Sequence, residues 1–451
     1  MSSNAVEPRW REVRTIANHA GTVWIGQLAV MAFAVIDTVL AGRYAPEMLA
    51  ALSIGTAIYI SVYVGLQGCI QSLLPIWARL FGSQQLERLA YSVRQSLYIV
   101  AGCSFLGASI LAGASSTIMQ FTDTPQALRP MVSSYLQIQA AILPIALLAR
   151  VFGTFAQSVG MPRWVTGLQL LSLALKFPLS VWLTFGGMGV PALGLNGCAL
   201  ATLIAQSVQL LCMGYLLRHS PAFSRFQVWQ PLQAPDRTVL REFLALALPS
   251  SFAIWVEVTA FTMMSLLVAP MGTTASASQQ IASNMAAILF MWPLALAIAT
   301  SARVSYWHGA QQSQLANNAL RMGLGIAALS ALLATTVVIG FRQPLAQLYI
   351  QQPEVVQLAA SLLALVALYH LADALQIMGL FVLRSFGVVR APTLIYTVAL
   401  WGVGMGGGYT LSRFEAWRSP ATFWMTNALA MAVVAVLFMV VLRRAVQRYG
   451  R

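Results

Sequence analysis

The sequence predicts an all-α integral membrane protein: twelve transmembrane helices in two parallel-related six-helix lobes. Three observations carry that prediction. Of 451 residues, 59% are apolar and only 8% are charged, against about a quarter charged in soluble domains, so the chain cannot cover an ordinary water-facing surface. The apolar residues gather in runs of about 20, the length a bilayer requires of a helix. Short motifs recur in the two halves at one constant spacing.

The runs lie at about 17–41, 48–74, 95–115, 131–155, 163–185, 194–217, 243–268, 276–302, 320–340, 355–382, 392–411 and 421–442. Arg9, Arg11 and Arg14 ahead of the first run imitate a secretory signal. That run is too long for one and has no small-residue cleavage pattern, so it is read as an uncleaved first span. Cys69, Cys103, Cys198 and Cys212 are scattered through apolar runs, the pattern of small buried side chains rather than of a disulfide framework or a metal site.

The net charge of +14 would suggest nucleic acid in a soluble protein. With both termini placed inside, twenty arginines fall in cytoplasmic segments or helix ends, and five (Arg43, Arg129, Arg342, Arg413 and Arg418) fall outside. Positive residues concentrate on the inner side of membrane proteins, so the charge is a topology label and no nucleic-acid partner is expected.

The longest polar connection divides the chain into an amino-terminal lobe (1–217), a cytoplasmic linker (218–242) and a carboxyl-terminal lobe (243–451). Ser158-Val159-Gly160-Met161-Pro162-Arg163 after span four matches Ser385-Phe386-Gly387-Val388-Val389-Arg390 after span ten, an offset of 227 residues. The same offset sets Gly82 on Gly309, Gln84 on Gln311 and Ile54 on Ile281. An offset crossing six spans preserves orientation, so the lobes are parallel repeats, between which secondary transporters place their substrates.

Nine carboxylates (Glu7, Glu12, Glu47, Glu87, Asp123, Asp236, Glu242, Glu354 and Glu415) lie in loops or near the termini, where hydration makes them cheap. Asp37 in span one, Glu257 in span seven and Asp373 in span ten do not. A charge at mid-span costs about 2.5–3.5 kcal/mol on insertion scales, which makes each a functional candidate. Lys176, the only lysine, is mid-span in span five, which leaves two readings open: a buried Asp37–Lys176 pair, or a long side chain snorkelling to an interface. Tyr369 and His370 precede Asp373 by four and three residues, and Gln280 and Asn284 are i,i+4 on span eight, so each set shares a helical face. Met263, Met264, Met285 and Met291 could line an adaptable cavity, but lipid-facing packing is the expectation except for those that share a face with Glu257. Gly402 to Gly407 fits G-x-G-x-x-G, but inside span eleven with no preceding strand it reads as close helix packing or a flexible segment. Nothing in the sequence supplies an ATP site or a cofactor site, so transport would draw on an ion gradient.

At these residues the chain resembles the multidrug and toxic compound extrusion (MATE) family, in its bacterial NorM-like branch. The matching pieces are Ile36-Asp37-Thr38-Val39-Leu40-Ala41-Gly42, then Leu248-Pro249 with Glu257 and Phe261, Gln280-Ile281 with Asn284, Asp373-Ala374-Leu375-Gln376, and Leu383-Arg384 ahead of Gly387. Lys176 and Ser180, flanking Phe177-Pro178-Leu179, stand where many relatives have asparagines, and Ser385 replaces the usual glycine. The resemblance implies a secondary transporter rather than an enzyme, working as a monomer among membrane lipid in a bacterial inner (plasma) membrane. It would export bulky, often cationic and aromatic drugs in exchange for H⁺ or Na⁺. Carried over by position, Glu257, Asp373 and Tyr369 would form the cation site of the second lobe, able to take Na⁺, and Asp37 would be the coupling acid of the first. Gln280, Asn284, Lys176, Ser180, Phe261 and Met285 are the cavity candidates. A lipid-linked oligosaccharide flippase of related architecture is the alternative, and it would want a basic central cavity. An enzyme acting on lipid would cluster catalytic groups at one interface, whereas these acids scatter over three spans.

Overall fold

The computed structural model describes residues 9–121, 125–187 and 189–449, with side chains described except at 9, 114–121 and 449. Glu7, Asp123 and Arg451 lie outside them. Every long element is a helix: α1 (Arg9–Tyr44), α2 (Pro46–Gln71), α3 (Leu74–Gly82), α4 (Leu86–Phe121), α5 (Arg129–Ser158), α6 (Pro162–Phe185), α7 (Leu195–His219), the single turn α8 (Pro221–Ser224) and α9 (Arg237–Val268). After these come α10 (Thr273–Gly309), α11 (Ser313–Gly340), the short α12 (Arg342–Gln347), α13 (Pro353–Ser385), α14 (Arg390–Thr397), a π-helix over Val398–Gly406, α15 (Gly407–Ser412) and α16 (Pro420–Tyr449). Proline in the first turn starts α2, α5, α6 and α13, where its missing N–H removes no intrahelical bond.

Among the described residues, 11 helical stretches are long and apolar enough to cross a membrane. The twelfth expected span, 392–411, is the composite α14–π–α15 run. Its glycines explain the departure from a regular helix. A Cβ at Gly404 would lie 2.5 Å from Asn427 Oδ1, and one at Gly408 2.7 Å from the Phe423 ring, so the backbone sits directly against α16. Thr426 Oγ1 donates to the Gly404 carbonyl at 2.8 Å, satisfying a π-helical acceptor. Within the glycine motif this close approach belongs to Gly404, whereas a Cβ at Gly402 would meet nothing within 4 Å.

Two compact units divide the chain. The first runs Ile25–Ser251, and the second takes residues up to Trp24 together with those from Phe252 onward. The breaks fall inside α1 and α9 and are themselves 227 residues apart. Helix boundaries keep that offset: α2 starts at Pro46 and α10 at Thr273, α3 and α10 end at Gly82 and Gly309, α4 and α11 start at Leu86 and Ser313, and α5 and α13 end at Ser158 and Ser385.

The turns keep it too. Gln84 and Gln311 both adopt left-handed backbone, with φ 58° and 59°. Gln85 N donates to Leu80 O at 3.0 Å and Gln312 N to Trp307 O at 2.9 Å, closing two identical Schellman caps. Gly160 and Gly387, at φ 75° and 71°, close a second matched pair through Met161 N to Ala156 O at 2.8 Å and Val388 N to Leu383 O at 2.9 Å.

In the first unit α5 packs on α2, α4 and α7, and α6 on α7. A buried aromatic knot of Trp77, Phe152, Phe155, Phe223 and Phe226 anchors the polar connection. That connection is strapped to α4: Arg94 Nη1 donates to Gln227 O at 3.1 Å, Tyr98 OH to Gln233 O at 2.7 Å and Gln95 Nε2 to Ala234 O at 2.9 Å. Asp236 caps α9, accepting from Thr238 N at 2.8 Å, and from Tyr91 OH at 3.1 Å. These donors, the Thr238 N–H first, hold its carboxyl below the usual carboxylate range.

In the second unit α13 is central, packed on α10, α11 and α16. Glu12 departs from its expectation as a hydrated terminal acid: it is 6% exposed. Arg303 grips both its oxygens, Nε to Oε1 at 2.7 Å and Nη2 to Oε2 at 2.6 Å, and Trp307 Nε1 adds a bond at 3.2 Å. Arg384, expected at a hydrated helix end, is also buried, its guanidinium 4.5 Å from the Phe381 ring centre.

Candidate functional site

The three membrane acids fall into two constellations. In the second unit α9 contributes Glu257 and, one turn on, Phe261, while α13 contributes Tyr369 and Asp373 at the same i,i+4 spacing. Glu257 and Asp373 lie within electrostatic reach of each other, and Tyr369 within reach of both. Asp373 and Tyr369 are 3% exposed, and neither Asp373 Oδ1 nor the Tyr369 hydroxyl has a hydrogen-bond partner among the described residues. No described lysine or arginine forms an ion pair with either acid. A buried carboxylate, a half-buried one and a phenol, with no ion-pair partner among the described residues, form a set of hard oxygens of the kind that takes up a proton or a small cation.

Residues that sequence reasoning missed complete this site. Tyr396, the penultimate residue of α14, is fully buried with its phenol beside Glu257. Trp401 in the π-helix donates to the Val256 carbonyl at 3.3 Å, so the composite run is tied to the backbone next to that acid. Trp424 on α16 packs edge-on to Phe261 and Tyr369 at centroid distances of 6.0 and 5.7 Å. Its indole donates to buried Gln279 at 2.8 Å. Tyr396 and Trp424 are aromatic residues in apolar spans, a pattern indistinguishable in sequence from ordinary core.

The predicted Gln280 and Asn284 pair with each other at 3.4 Å on an exposed face of α10, whereas their neighbour Gln279 reaches the aromatic cluster. Met285 is buried. Phe261 joins Tyr369 edge-on at 6.1 Å. Among the described residues no group of three or more His, Cys, Asp or Glu has the arrangement of a metal centre.

In the first unit Asp37 and Lys176 do pair: Lys176 Nζ lies 2.8 Å from Asp37 Oδ2, both side chains being nearly enclosed. Tyr135 on α5 and Cys198 on α7 face the same carboxylate. Thr184 Oγ1 lies 3.2 Å from Cys198 Sγ, and Gln139 Nε2 donates to Tyr135 OH at 2.6 Å. Ser180, one turn beyond Lys176, is fully buried, and its hydroxyl has no hydrogen-bond partner among the described residues.

The family model for MatE matches this chain twice, over residues 23–182 and 249–410. The chain belongs to the MatE family. It is 30% identical over 436 residues, 96% of its own length and 94% of the relative's, to the "Probable multidrug resistance protein NorM" of Aromatoleum aromaticum. Its fold matches a crystal structure of the eukaryotic MATE transporter AtDTX14 with a TM-score of 0.86 at 19% identity, covering 98% and 99% of the two chains. The Vibrio cholerae MATE transporter VcmN in its bent form matches at 0.85 and 16%, covering 98% of each. A transporter of the MOP superfamily from Pyrococcus furiosus, described as having a binding pocket of reversed polarity, also matches at 0.85 and 16%, covering 98% and 97%.

MatE proteins are membrane transporters rather than enzymes, and the twelve-helix, two-lobe architecture expected from sequence is theirs. Each family match covers one copy of the repeat, from within α1 to within α6 and from α9 to α15. A MatE fold shared with a pocket of reversed polarity does not by itself set the charge of the substrate. That must come from the residues at the site.

Proposed function

We propose that this chain is a cation-coupled multidrug antiporter, exporting bulky organic cations across a bacterial inner membrane in exchange for H⁺ or Na⁺. The observation that carries this reading is the Glu257–Asp373 pair, which has no ion-pair partner among the described residues and lies beside Tyr369 and Tyr396. Such a pair binds a proton or Na⁺ through oxygen ligands that are already in place. The family membership and the similarity to a probable multidrug resistance protein support the substrate class.

The cycle follows from charge. Facing outward, the pair takes up its ion, which removes the negative charge holding a cationic drug, and the drug leaves. Facing inward, the ion departs and the restored charge recruits the next drug. One charge moved through 100 mV supplies about 2.3 kcal/mol, and one pH unit about 1.4 kcal/mol per proton. One or two ions thus sustain a drug gradient of roughly tenfold to several hundredfold. Asp37 is the acid of the first unit. The protein works as a monomer, with both termini and the 218–242 linker cytoplasmic, as the arginine distribution indicates.

Everted vesicles loaded with a fluorescent cationic dye test this reading, under a pH gradient alone and then a Na⁺ gradient alone. The Glu257→Gln, Asp373→Asn double variant, confirmed to be inserted, is expected to transport dye at background rate. Retained gradient-driven transport would refute the assignment.

A further inference from the structure

Lys176 is the chain's only lysine and is 1% exposed. Its ammonium meets three partners: the Asp37 carboxylate at 2.8 Å, the Phe33 carbonyl at 3.3 Å and the Phe33 ring, whose centre is 4.6 Å away. A carboxylate, a carbonyl and an aromatic face are the surroundings a protein provides for a bound cation. Here the cation is covalently attached. Pro178, two residues on in α6, removes a backbone N–H from the helix that carries it. The other titratable groups facing Asp37 are Tyr135 from α5 and Cys198 from α7, and neither brings positive charge.

We propose that Lys176 is a tethered counter-cation that holds the cation position beside Asp37, so the first unit takes up no coupling ion and Glu257 with Asp373 set the ion-to-substrate ratio. This rests on the antiport reading and deepens it by taking Asp37 out of the ion count. Adding a proton or Na⁺ to Asp37 while the ammonium stays beside it would leave a buried net positive charge, the expensive outcome of breaking an enclosed pair. In the second unit no described lysine or arginine forms an ion pair with Glu257 or Asp373. At the 227-residue offset, Asp37 and Lys176 correspond to Met264 and Val403, so the device belongs to one copy only.

The test is the ion-to-dye ratio of the full-length protein in liposomes, measured with ethidium at the gradient where net flux vanishes. Wild type must accumulate dye at the expense of an ion gradient; if it does not, the antiport reading falls and this proposal with it. Lys176→Met leaves Asp37 without a partner, and a buried carboxylate in that position neutralises itself by binding a proton or a cation. Its ratio is expected to rise by one ion per dye. Lys176→Arg, which keeps the pair, and Asp37→Asn with Lys176→Met, which removes it, are both expected to keep the wild-type ratio. A Lys176→Met ratio equal to wild type, or a double-variant ratio one ion lower, overturns the proposal. For a variant that folds but does not transport, cation uptake by the purified protein across the neutral pH range replaces the ratio. Lys176→Met should then bind one more cation per molecule than wild type, and equal uptake overturns the proposal.

Discussion

The two units share a backbone plan almost residue for residue and share almost none of their charge. Helix starts, helix ends and two pairs of left-handed caps coincide at an offset of 227 residues. At the same offset, Glu257 corresponds to Val30, Asp373 to Ala146 and Glu12 to Val239. Caps and turns are needed in each copy for the chain to fold at all, because an unsatisfied backbone group in a membrane has no water to turn to. A buried charge is needed only where it acts, and each one costs stability. One copy therefore pairs its acid with a lysine, and the other holds two acids with no ion-pair partner among the described residues.

The Glu12–Arg303 pair offers the sharpest way to break that comparison. Its equivalents, Val239 and Ile76, are apolar and pack against the core of the first unit. Glu12→Val alone strands a mostly buried guanidinium beside Trp307 and should destabilise the protein by about 2–3 kcal/mol, discounting the part of Arg303 that water reaches. Glu12→Val with Arg303→Ile installs the apolar pair of the other copy and should recover most of that loss, since apolar replacement of a buried pair is often neutral. Thermal unfolding in detergent reads both. A double variant no better than the single would show that the two copies tolerate different chemistry at this place.

A smaller effect is expected at Gly408, whose equivalent is Val181, 38% exposed in the first unit. Installing that valine, Gly408→Val, drives a Cβ toward the fully buried Phe423 ring, 2.7 Å from its ideal position. Overpacking of this kind costs about 1–3 kcal/mol, so the unfolding midpoint should fall. An unchanged midpoint would mean that the π-helical run moves aside, and that its contact with α16 is looser than the geometry indicates.

The repeat and the three membrane acids were legible in sequence because each leaves a local mark: a motif recurring at a fixed spacing, or a charge within an apolar run. The Asp37–Lys176 pair was legible as one of two readings, because these are the two opposite charges that fall mid-span in the first half. Tyr396, Trp424 and Gln279 were not, because their roles come from helices distant in sequence meeting at one point. Gln280 stands out in the sequence through its i,i+4 partner Asn284, a mark that Gln279 lacks. The structure spends that partner on an exposed face and turns the preceding glutamine toward Trp424. Arg384 was placed at a hydrated helix end by its position in the chain, but stacking on Phe381 keeps it buried.

Gln84 and Gln311 test the shared half of the comparison. A non-glycine residue in left-handed backbone carries a strain of roughly 1–2 kcal/mol. Glycine relieves it at some cost in unfolded-chain entropy, so Gln84→Gly and Gln311→Gly should each stabilise by about 0.5–1 kcal/mol. The two increments should be equal and additive, because the caps are far apart in sequence and alike in geometry. Unequal increments in thermal unfolding would show that the copies have diverged in backbone energetics as well as in charge.

The smallest effect belongs to Asp236, which caps α9 at the end of the strap across α4. Its carboxyl is held below the usual range by the Thr238 N–H and its neighbours, so the unfolded state binds the proton more readily than the folded one. The cap therefore contributes fully above the usual carboxylate pKa and loses its contribution as pH falls through the depressed folded value. The carboxylate is exposed to solvent, which screens the effect and confines it to the strap. Relative to the intrinsic amide rate, which itself falls with pH, the protection of 220–236 against hydrogen exchange should decrease on acidification in wild type, while in Asp236→Asn, which still caps the helix without titrating, protection should stay constant. Equal pH profiles for the two proteins would remove Asp236 as the titrating group. The strap would then rest on Arg94, Gln95 and Tyr98, whose bonds to main-chain carbonyls have no dependence on carboxylate charge.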